Sequence, residues 1–460
     1  MTLFALLLTG LSVFLLTTSF YALAWIPAGG AAALVLLRSR PVIAFYLLVL
    51  MFPFAAIRDI GGIKVHWLLS FALLFLMVLQ LYGDRQSIAR LGTHLWSAVA
   101  VFLMFNVLAA LFSVFPTTAW ASVNDLVLAC LFIAITLFYV DDEEKLQFLS
   151  WVVVASIAIG AFFAVLESFW GIDFFGVETG DGGGDFNQGK GLTLSHNALS
   201  FMIVVAMPLA VHNVLHARTG VLKMVGAAIL FIVILGMFAT YSRGGFLLTV
   251  LAFILMALQN WRHITKLHIG LFLLMSVSVP IVLVATAPDE YFAHQMTLYS
   301  GDTSSIDRRI TYLQVAQDAF VESPLIGHGP NAFRDLYSQS DQAREFVKED
   351  QSSRRAAHNT FVDVTIGSGL LGLFAFLALL ATAFSYFNRA VRIARESAGR
   401  SLESLFASYR LSLFLLCTYM LIKSVLDNKY LWLLLAVSVL TLRVAKKVQQ
   451  QEEGQADAHV

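Results

Sequence analysis

Residues 146–168 read LQFLSWVVVASIAIGAFFAVLES, an apolar run in which Glu167 is the only ionisable side chain. A helix needs ~20 apolar residues to cross the hydrocarbon core of a bilayer, and this run has that length. It lacks the alternation of apolar and polar residues that a strand of a transmembrane barrel would show. We therefore predict that residues 146–168 form a membrane-spanning helix, and that the fold is built from runs of this kind.

Similar runs recur along the whole chain. Of its 460 residues, 58% are hydrophobic and 13% are charged, whereas a typical soluble domain has about 25% charged residues. The expected fold class is an all-α polytopic membrane protein with about 12 to 14 transmembrane helices, because the first two spans could be one helix or a re-entrant pair. The predicted spans are residues 3–18, 20–37, 41–57, 65–82, 95–114, 118–140, 146–168, 196–214, 221–238, 243–260, 267–286, 362–388, 406–424 and 430–445.

The composition also excludes other classes. Basic and acidic residues number 30 each, so no excess of charge indicates a nucleic-acid partner. Cys130 and Cys417 both lie in apolar runs, where we interpret them as packing residues rather than a disulfide. No C-x-x-C or H-E-x-x-H pattern occurs, so the sequence predicts neither a metal site nor a cofactor. The apolar N-terminal run has no basic segment before it and is interpreted as a retained span.

The basic residues predict the orientation of the chain. With the N-terminus in the cytoplasm, more than half of the 30 Lys and Arg residues fall in cytoplasmic connections and their flanks. In the longest outer segment, residues 306–321 have apolar residues at helical spacing and predict an amphipathic helix. The predicted organisation is transmembrane helices over 1–286, a periplasmic loop over 287–361, C-terminal transmembrane helices over 362–445 and a cytoplasmic tail over 446–460.

Ionisable and amide side chains within or near the spans gather on one side. Charges inside a membrane are costly and are usually functional, yet none is predicted near the middle of a span. We interpret the pattern as a polar cleft that opens outward and is closed below; the alternative is side chains that extend to lipid headgroups. The residues are Asp125, Glu167, His196, Asn197, Arg243, His358, Asn359, Asp363, Lys423 and Asp427.

Three segments carry a resemblance to a known family. TYSRGGFLLTVLAF at 240–253, RRITYLQVAQDAFVESPLIGHGPNAF at 308–333 and HNTFVDVTIGSGLLGLF at 358–374 follow one another in the order seen in the O-antigen ligase and polymerase superfamily of bacterial polysaccharide assembly. GLTLSHNALSFMIVVAMPLA at 191–210 is a weaker match. The chain resembles that superfamily over residues 190–375.

One position departs from the family pattern. The family often has a tryptophan four residues after the loop arginine, and this chain has Tyr312 four residues after Arg308 and Leu313 four residues after Arg309. Either arginine could therefore correspond to the family's residue.

The resemblance implies a fold and an activity. The fold would be that of the class C membrane glycosyltransferases. The activity would be inverting, metal-independent transfer of a glycan from an undecaprenyl diphosphate carrier to an acceptor hydroxyl, such as one on lipid A-core. The enzyme would lie in the bacterial inner membrane and face the periplasm.

The residue types suit this chemistry. A guanidinium binds phosphate in bidentate fashion, so Arg243 and Arg309 are expected to stabilise the diphosphate leaving group. A neutral histidine near pH 7 can take the proton of the attacking hydroxyl, which makes His358 the candidate base. The further substrate-binding candidates are Arg308, which could replace Arg309, and His196, Asn197, Ser242, Asn359 and Asp363.

Several functions share these residues and remain open at this stage. The chain could be a ligase, a polymerase of lipid-linked repeat units, or a protein O-oligosaccharyltransferase, and the sequence does not separate their acceptors. A transporter of lipid-linked glycans would instead predict repeats and polar residues at the middle of the membrane. A structural scaffold would tolerate alanine at Arg243 and His358.

Overall fold

The computed structural model describes residues 39–54, 59–60, 63–172, 188–260, 304–346, 354–397 and 399–457, with a few isolated positions elsewhere. In these ranges the regular secondary structure is helical, apart from two strands of two residues each, β1 (Asp59–Ile60) and β2 (Ile63–Lys64), which pair antiparallel. The helices are α1 Pro41–Leu50, α2 Val65–Gly83, a 3-10 helix Arg85–Arg90, α3 Leu95–Leu111, α4 Pro116–Tyr139, α5 Glu143–Trp170, α6 His196–His216, α7 Gly220–Ala239, α8 Arg243–Asn260, α9 Ser304–Glu322, α10 Phe333–Gln339, α11 Asp341–Phe346, α12 Thr360–Ser397, α13 Gly399–Met420 and α14 Lys429–Asp457.

The described helices confirm a polytopic helical membrane protein. Six of them, α2, α4, α5, α6, α7 and α12, are long and apolar enough to cross a membrane, and α1, α3 and α8 are shorter apolar helices. The predicted spans over 3–18, 20–37 and 267–286 lie outside the described residues, apart from isolated positions. The number of spans therefore stays a prediction.

Two helices organise the bundle. α12 packs against α3, α13 and α14, and α6 packs against α5, α7, α8 and α13. Among the six apolar helices α6 is the most buried and α2 the least. One end of the bundle holds the first residues of α6, α8, α12 and α14 and the last residues of α3, α5, α7 and α13. We call this end the loop end, and the other the far end.

Local sequence explains where several helices begin and end. Asp142 precedes α5 and its Oδ1 accepts a hydrogen bond from the backbone N–H of Lys145 at 2.8 Å. Ser195 and Thr219 cap α6 and α7 in the same way. Gly171 ends α5 in the left-handed region at φ 67°. These boundaries depend on residues within one turn.

α9 builds a small hydrophobic core above the bundle. It covers the segment predicted as an amphipathic helix, 306–321, and buries one face. Tyr312 on that face contacts Phe333 and Tyr337 of the following segment edge to face, with ring centroids 6.4 and 4.9 Å away. Ile366 of α12 belongs to the same core, so this core joins the segment between α8 and α12 to the bundle.

α12 is interrupted where the preceding segment packs into it. Ser368 and Gly369 have non-helical backbone angles. The freed backbone groups pair with residues 324–329: the His328 N–H donates to the Ile366 carbonyl at 2.9 Å, and the Leu370 N–H donates to the Pro324 carbonyl at 2.9 Å. A broken helix persists at membrane depth only when protein satisfies its backbone in this way.

Glycines make this close packing possible. Gly369 has φ 65°, and a Cβ there would collide with the Leu325 carbonyl. Gly329 has φ 108°, and a Cβ there would collide with the side chain of Ser113 at the end of α3. The Ser113 hydroxyl also donates to the His328 carbonyl at 2.6 Å. Two segments that resemble family motifs, 308–333 and 358–374, therefore bind each other.

Candidate functional site

The starts of α6 and α8 form one polar network at the loop end. The Ser242 hydroxyl donates to Asn197 Oδ1 at 3.1 Å, and Asn197 Nδ2 lies 2.8 Å from His196 Nε2. Arg243 follows Ser242 as the first residue of α8 and is half-buried. The structure thus brings together four of the candidate residues, although 45 positions separate Asn197 from Ser242.

The local backbone explains how Arg243 is presented. Tyr241 is left-handed at φ 53°, which turns the chain sharply into α8. The Ser242 hydroxyl accepts from the Gly245 N–H at 3.3 Å and so caps the helix. A Cβ on Gly245 would lie 2.5 Å from Ser200 Oγ of α6. Glycine at this position therefore lets the start of α8 approach α6 closely.

Tyr419 links this network to α9. Its hydroxyl donates to the Asn197 carbonyl at 3.0 Å. Arg309, an exposed residue of α9, interacts electrostatically with both Tyr419 and His358. Arg309 therefore lies near both Tyr419 and the candidate base. The side chain of Arg308 lies outside the described residues.

His358 lies beside an aromatic ring and near four cations. Its ring is 5.6 Å from that of Tyr312 and tilted by 37°. Burial, and to a smaller extent four neighbouring cations, lower the pKa of His358 to about 3. The imidazole is therefore neutral at pH 7. The four cations are Lys423, Arg309, Arg355 and Arg334.

The turn that carries His358 is held by its neighbours. His358 is left-handed at φ 54°, a conformation that costs energy for a residue with a Cβ. Asn359 Oδ1 accepts from the N–H groups of Phe361 and Val362 at 3.0 and 3.2 Å and caps α12. Asp363 Oδ1 accepts from the Ala357 N–H at 3.2 Å. The structure thus gives Asn359 and Asp363 positioning contacts, and their predicted contacts with substrate remain predictions.

Lys423 reaches this group through a tertiary contact. The Thr360 hydroxyl donates to the Lys423 carbonyl at 2.8 Å and accepts from the Val425 N–H at 3.0 Å. This contact joins the start of α12 to the connection between α13 and α14. For Lys423 the sequence allows either a place in the polar cleft or contact with lipid headgroups. It does not single out Arg334 or Arg355, because no local pattern distinguishes them from other loop cations.

His328 has a structural role. Its Nε2 lies 2.7 Å from the Ala319 carbonyl, which ties the turn of residues 324–330 to α9. Within the described ranges no three His, Cys, Asp or Glu side chains group as metal ligands.

Chemically, the site combines a neutral imidazole with nearby positive charge. A neutral imidazole can accept a proton. The cations around it favour an anionic ligand, and guanidinium groups pair well with phosphate oxygens. The arrangement is suited to a reaction in which a hydroxyl is deprotonated beside a group that carries negative charge.

Comparison with known families agrees with the motifs. Residues 227–377 match the family model described as O-antigen ligase. The match contains all three segments that carry the resemblance, at 240–253, 308–333 and 358–374, and confirms it. The match covers about a third of the chain, from α7 through the first half of α12. No curated protein matches the chain.

Proposed function

We propose that this multi-pass membrane protein, which carries an O-antigen ligase domain, transfers a glycan from an undecaprenyl diphosphate carrier to an acceptor hydroxyl. The observation that carries the proposal is the neutral His358 among four cations at the loop end. Both requirements of the reaction, a base and a site for a diphosphate, are supported by this cluster.

The proposed donor site uses arginines. The diphosphate gains negative charge as the anomeric C–O bond breaks, so cations that contact it stabilise the transition state more than the ground state. Arg243 and Arg309 are the proposed contacts, since both lie beside the Asn197–Tyr419 network. Arg355 and Lys423 add positive charge around His358.

His358 is the proposed base. The acceptor oxygen attacks the anomeric carbon from the side opposite the diphosphate, its proton passes to His358, and undecaprenyl diphosphate leaves, which inverts the configuration. The low pKa of free His358, about 3, arises partly from the cations. A bound diphosphate neutralises those cations and raises the pKa of the imidazole, so His358 becomes a stronger base when donor is present.

The proposed location is the bacterial inner membrane with the loop end facing the periplasm. The basic residues of the far end support this orientation, since cytoplasmic connections are rich in Lys and Arg. Arg389, Arg392 and Arg395 lie in the far half of α12, and Lys446 and Lys447 lie in α14.

The test is glycan transfer by purified protein in lipid nanodiscs. Wild type, His358→Asn and Arg243→Ala receive an undecaprenyl diphosphate-linked glycan, with Arg389→Ala as the control because Arg389 is exposed at the far end. We expect Arg243→Ala to lose on the order of 10²–10³ in rate and His358→Asn about 10²–10⁴, whereas the control should keep the rate of wild type. Normal transfer by both site variants would overturn the proposal. Parallel reactions with lipid A-core, a lipid-linked repeat unit or a protein acceptor separate a ligase from a polymerase and from a protein O-oligosaccharyltransferase.

A further inference from the structure

A second polar surface lies beside the His358 cluster. A cavity of about 590 Å³ opens between α2, α4, α12 and the α13–α14 connection. Its upper part, near the loop end, is lined by Asp125, Asn331, Arg334, Asp363, Asp427 and Lys429. Farther from the loop end, where α4 continues beyond Asp125, the lining is apolar and includes Leu131, Phe132 and Ile135, together with Leu48 and Leu74. The cavity is therefore polar at one end and apolar at the other.

The upper part favours hydroxyl groups over anions. Asp427 lies close enough to both Asp125 and Asp363 for the three carboxylates to interact. With only Arg334 and Lys429 as cations among the lining residues, a diphosphate would meet more negative than positive charge there. Carboxylates accept hydrogen bonds from hydroxyl groups, so an uncharged, hydroxyl-rich group suits this surface.

Aromatic side chains complete the wall. Trp67 and Trp432 line the cavity. Trp432 is fixed by a hydrogen bond from its indole N–H to the Leu426 carbonyl at 3.0 Å, and Lys429 lies 5.4 Å above the ring of Phe52. Flat apolar faces beside carboxylates suit a sugar ring, which has hydroxyl groups at its edge and C–H groups on its face.

The cavity adjoins the candidate base. Asp363 lines the cavity, and its Oδ1 also accepts a hydrogen bond at 3.2 Å from the N–H of Ala357, the residue before His358. Arg334 lines it and contributes positive charge at His358. A hydroxyl group bound in the upper part would therefore lie next to the turn that carries the base.

We propose that this cavity binds the acceptor, and that the acceptor is an amphiphile with a saccharide head in the polar part and a hydrocarbon chain in the apolar part. The inference rests on the proposed transfer reaction and adds to it a separate acceptor site. Donor and acceptor then enter on two sides of His358, with the anionic donor at the arginines and the uncharged sugar at the carboxylates.

The test uses dodecyl maltoside that carries a photoreactive diazirine on its chain, added to the purified protein in lipid nanodiscs. Cross-linked residues are mapped by mass spectrometry in wild type, Asp125→Asn and Ala129→Trp, which fills the cavity. Val127→Trp is the matched control, because Val127 is on the same helix, is 39% exposed and does not line the cavity.

We expect labels on α2 and α4 at the cavity, and a decrease of about tenfold in Asp125→Asn, because a neutral amide oxygen replaces a charged acceptor and the hydrogen bond to a sugar hydroxyl becomes weaker. Ala129→Trp should abolish labelling, whereas Val127→Trp and Arg243→Ala should keep it. Unlabelled dodecyl maltoside should compete better than dodecyl phosphate. Labels elsewhere, equal labelling in all variants, or better competition by the phosphate would overturn the acceptor site.

The transfer assay separates this inference from the proposed function. Asp125→Asn should raise the KM for a glycolipid acceptor and leave the KM for the donor unchanged. If Asp125→Asn is normal while His358→Asn and Arg243→Ala are inactive, transfer stands and the acceptor lies elsewhere. If wild type transfers no glycan, the proposed function itself fails.

Discussion

The Asp363 carboxylate accepts a hydrogen bond from the backbone N–H of Ala357 at 3.2 Å, and so connects the first turn of α12 to the residue before His358. Five positions separate Asp363 from His358, too many for the two side chains to share a helix face. The contact arises because the chain leaves helical geometry at His358, where φ is 54°. Asp363 therefore acts on the position of the imidazole through the backbone.

Asp363→Ala is expected to reduce transfer by about tenfold, because it removes one charge-assisted hydrogen bond from the turn. Asp363→Asn should retain most activity, since its amide oxygen can still accept the bond. The measurement is kcat with saturating donor and acceptor. Equal activity of Asp363→Ala and wild type would show that the bond does not position the base.

His358→Asn is expected to reduce the rate of transfer by about 10²–10⁴-fold, the range for loss of a general base. Asparagine tolerates the left-handed backbone better than most residues, so the fold should persist. Thermal unfolding of the purified variant checks this point. A folded His358→Asn protein with normal kcat would remove His358 from the chemistry.

Because of His358, the folding stability of the protein should decrease as the pH is lowered. Its folded pKa is about 3, below its value of 6.5 when exposed. Between these values the unfolded chain binds the proton and the folded chain does not, so stability decreases as pH falls through this window and is unaffected above it. The unfolding midpoint of wild type should therefore drop more than that of His358→Asn between pH 7.5 and 5. Parallel curves for the two proteins would contradict the assignment.

Gly369→Ala is expected to separate the turn of residues 324–329 from α12. The left-handed angle alone costs about 1–3 kcal/mol for alanine, and the added methyl collides with the Leu325 carbonyl. We expect lower thermal stability and faster protease cleavage within residues 304–346. Gly220→Ala is the control, because a Cβ at Gly220 has no atom within 4 Å. Equal cleavage of the two variants would show that Gly369 does not hold the turn of residues 324–329 against α12.

Ser242→Ala tests the α6–α8 network. It removes both the cap of α8 and the hydrogen bond to Asn197. Loss of a serine cap costs about 0.5–2 kcal/mol, and the KM for the donor should rise because Arg243 is the next residue. Thr219→Ala is the control, since it removes a cap from α7 at the far end. A change in stability with an unchanged donor KM would show that the network supports the fold alone.

The sequence by itself determined the membrane class, the main described helices and the resemblance of residues 227–377 to the O-antigen ligase family. These features depend on local properties: the length of an apolar run such as 146–168, caps such as Asp142 and Ser195, and motifs whose residues are neighbours in the chain. It also proposed His358, Arg243 and Arg309 as candidate site residues, because they lie within motifs that resemble those of the family. The approximate bounds of the spans and the family resemblance can therefore be predicted from the sequence alone.

Only the tertiary structure decided which side chains meet. Lys423 reaches His358 because Thr360 binds its carbonyl across 63 positions of sequence. The break in α12 at Gly369 arises because the turn around Leu325 occupies its path, and nothing within the apolar run itself predicts where the helix is interrupted. Asp125 and Asp427 come together on one cavity only through the packing of α4 against α14. Such contacts are decided by the mutual packing of distant helices, whose partners local periodicity does not specify.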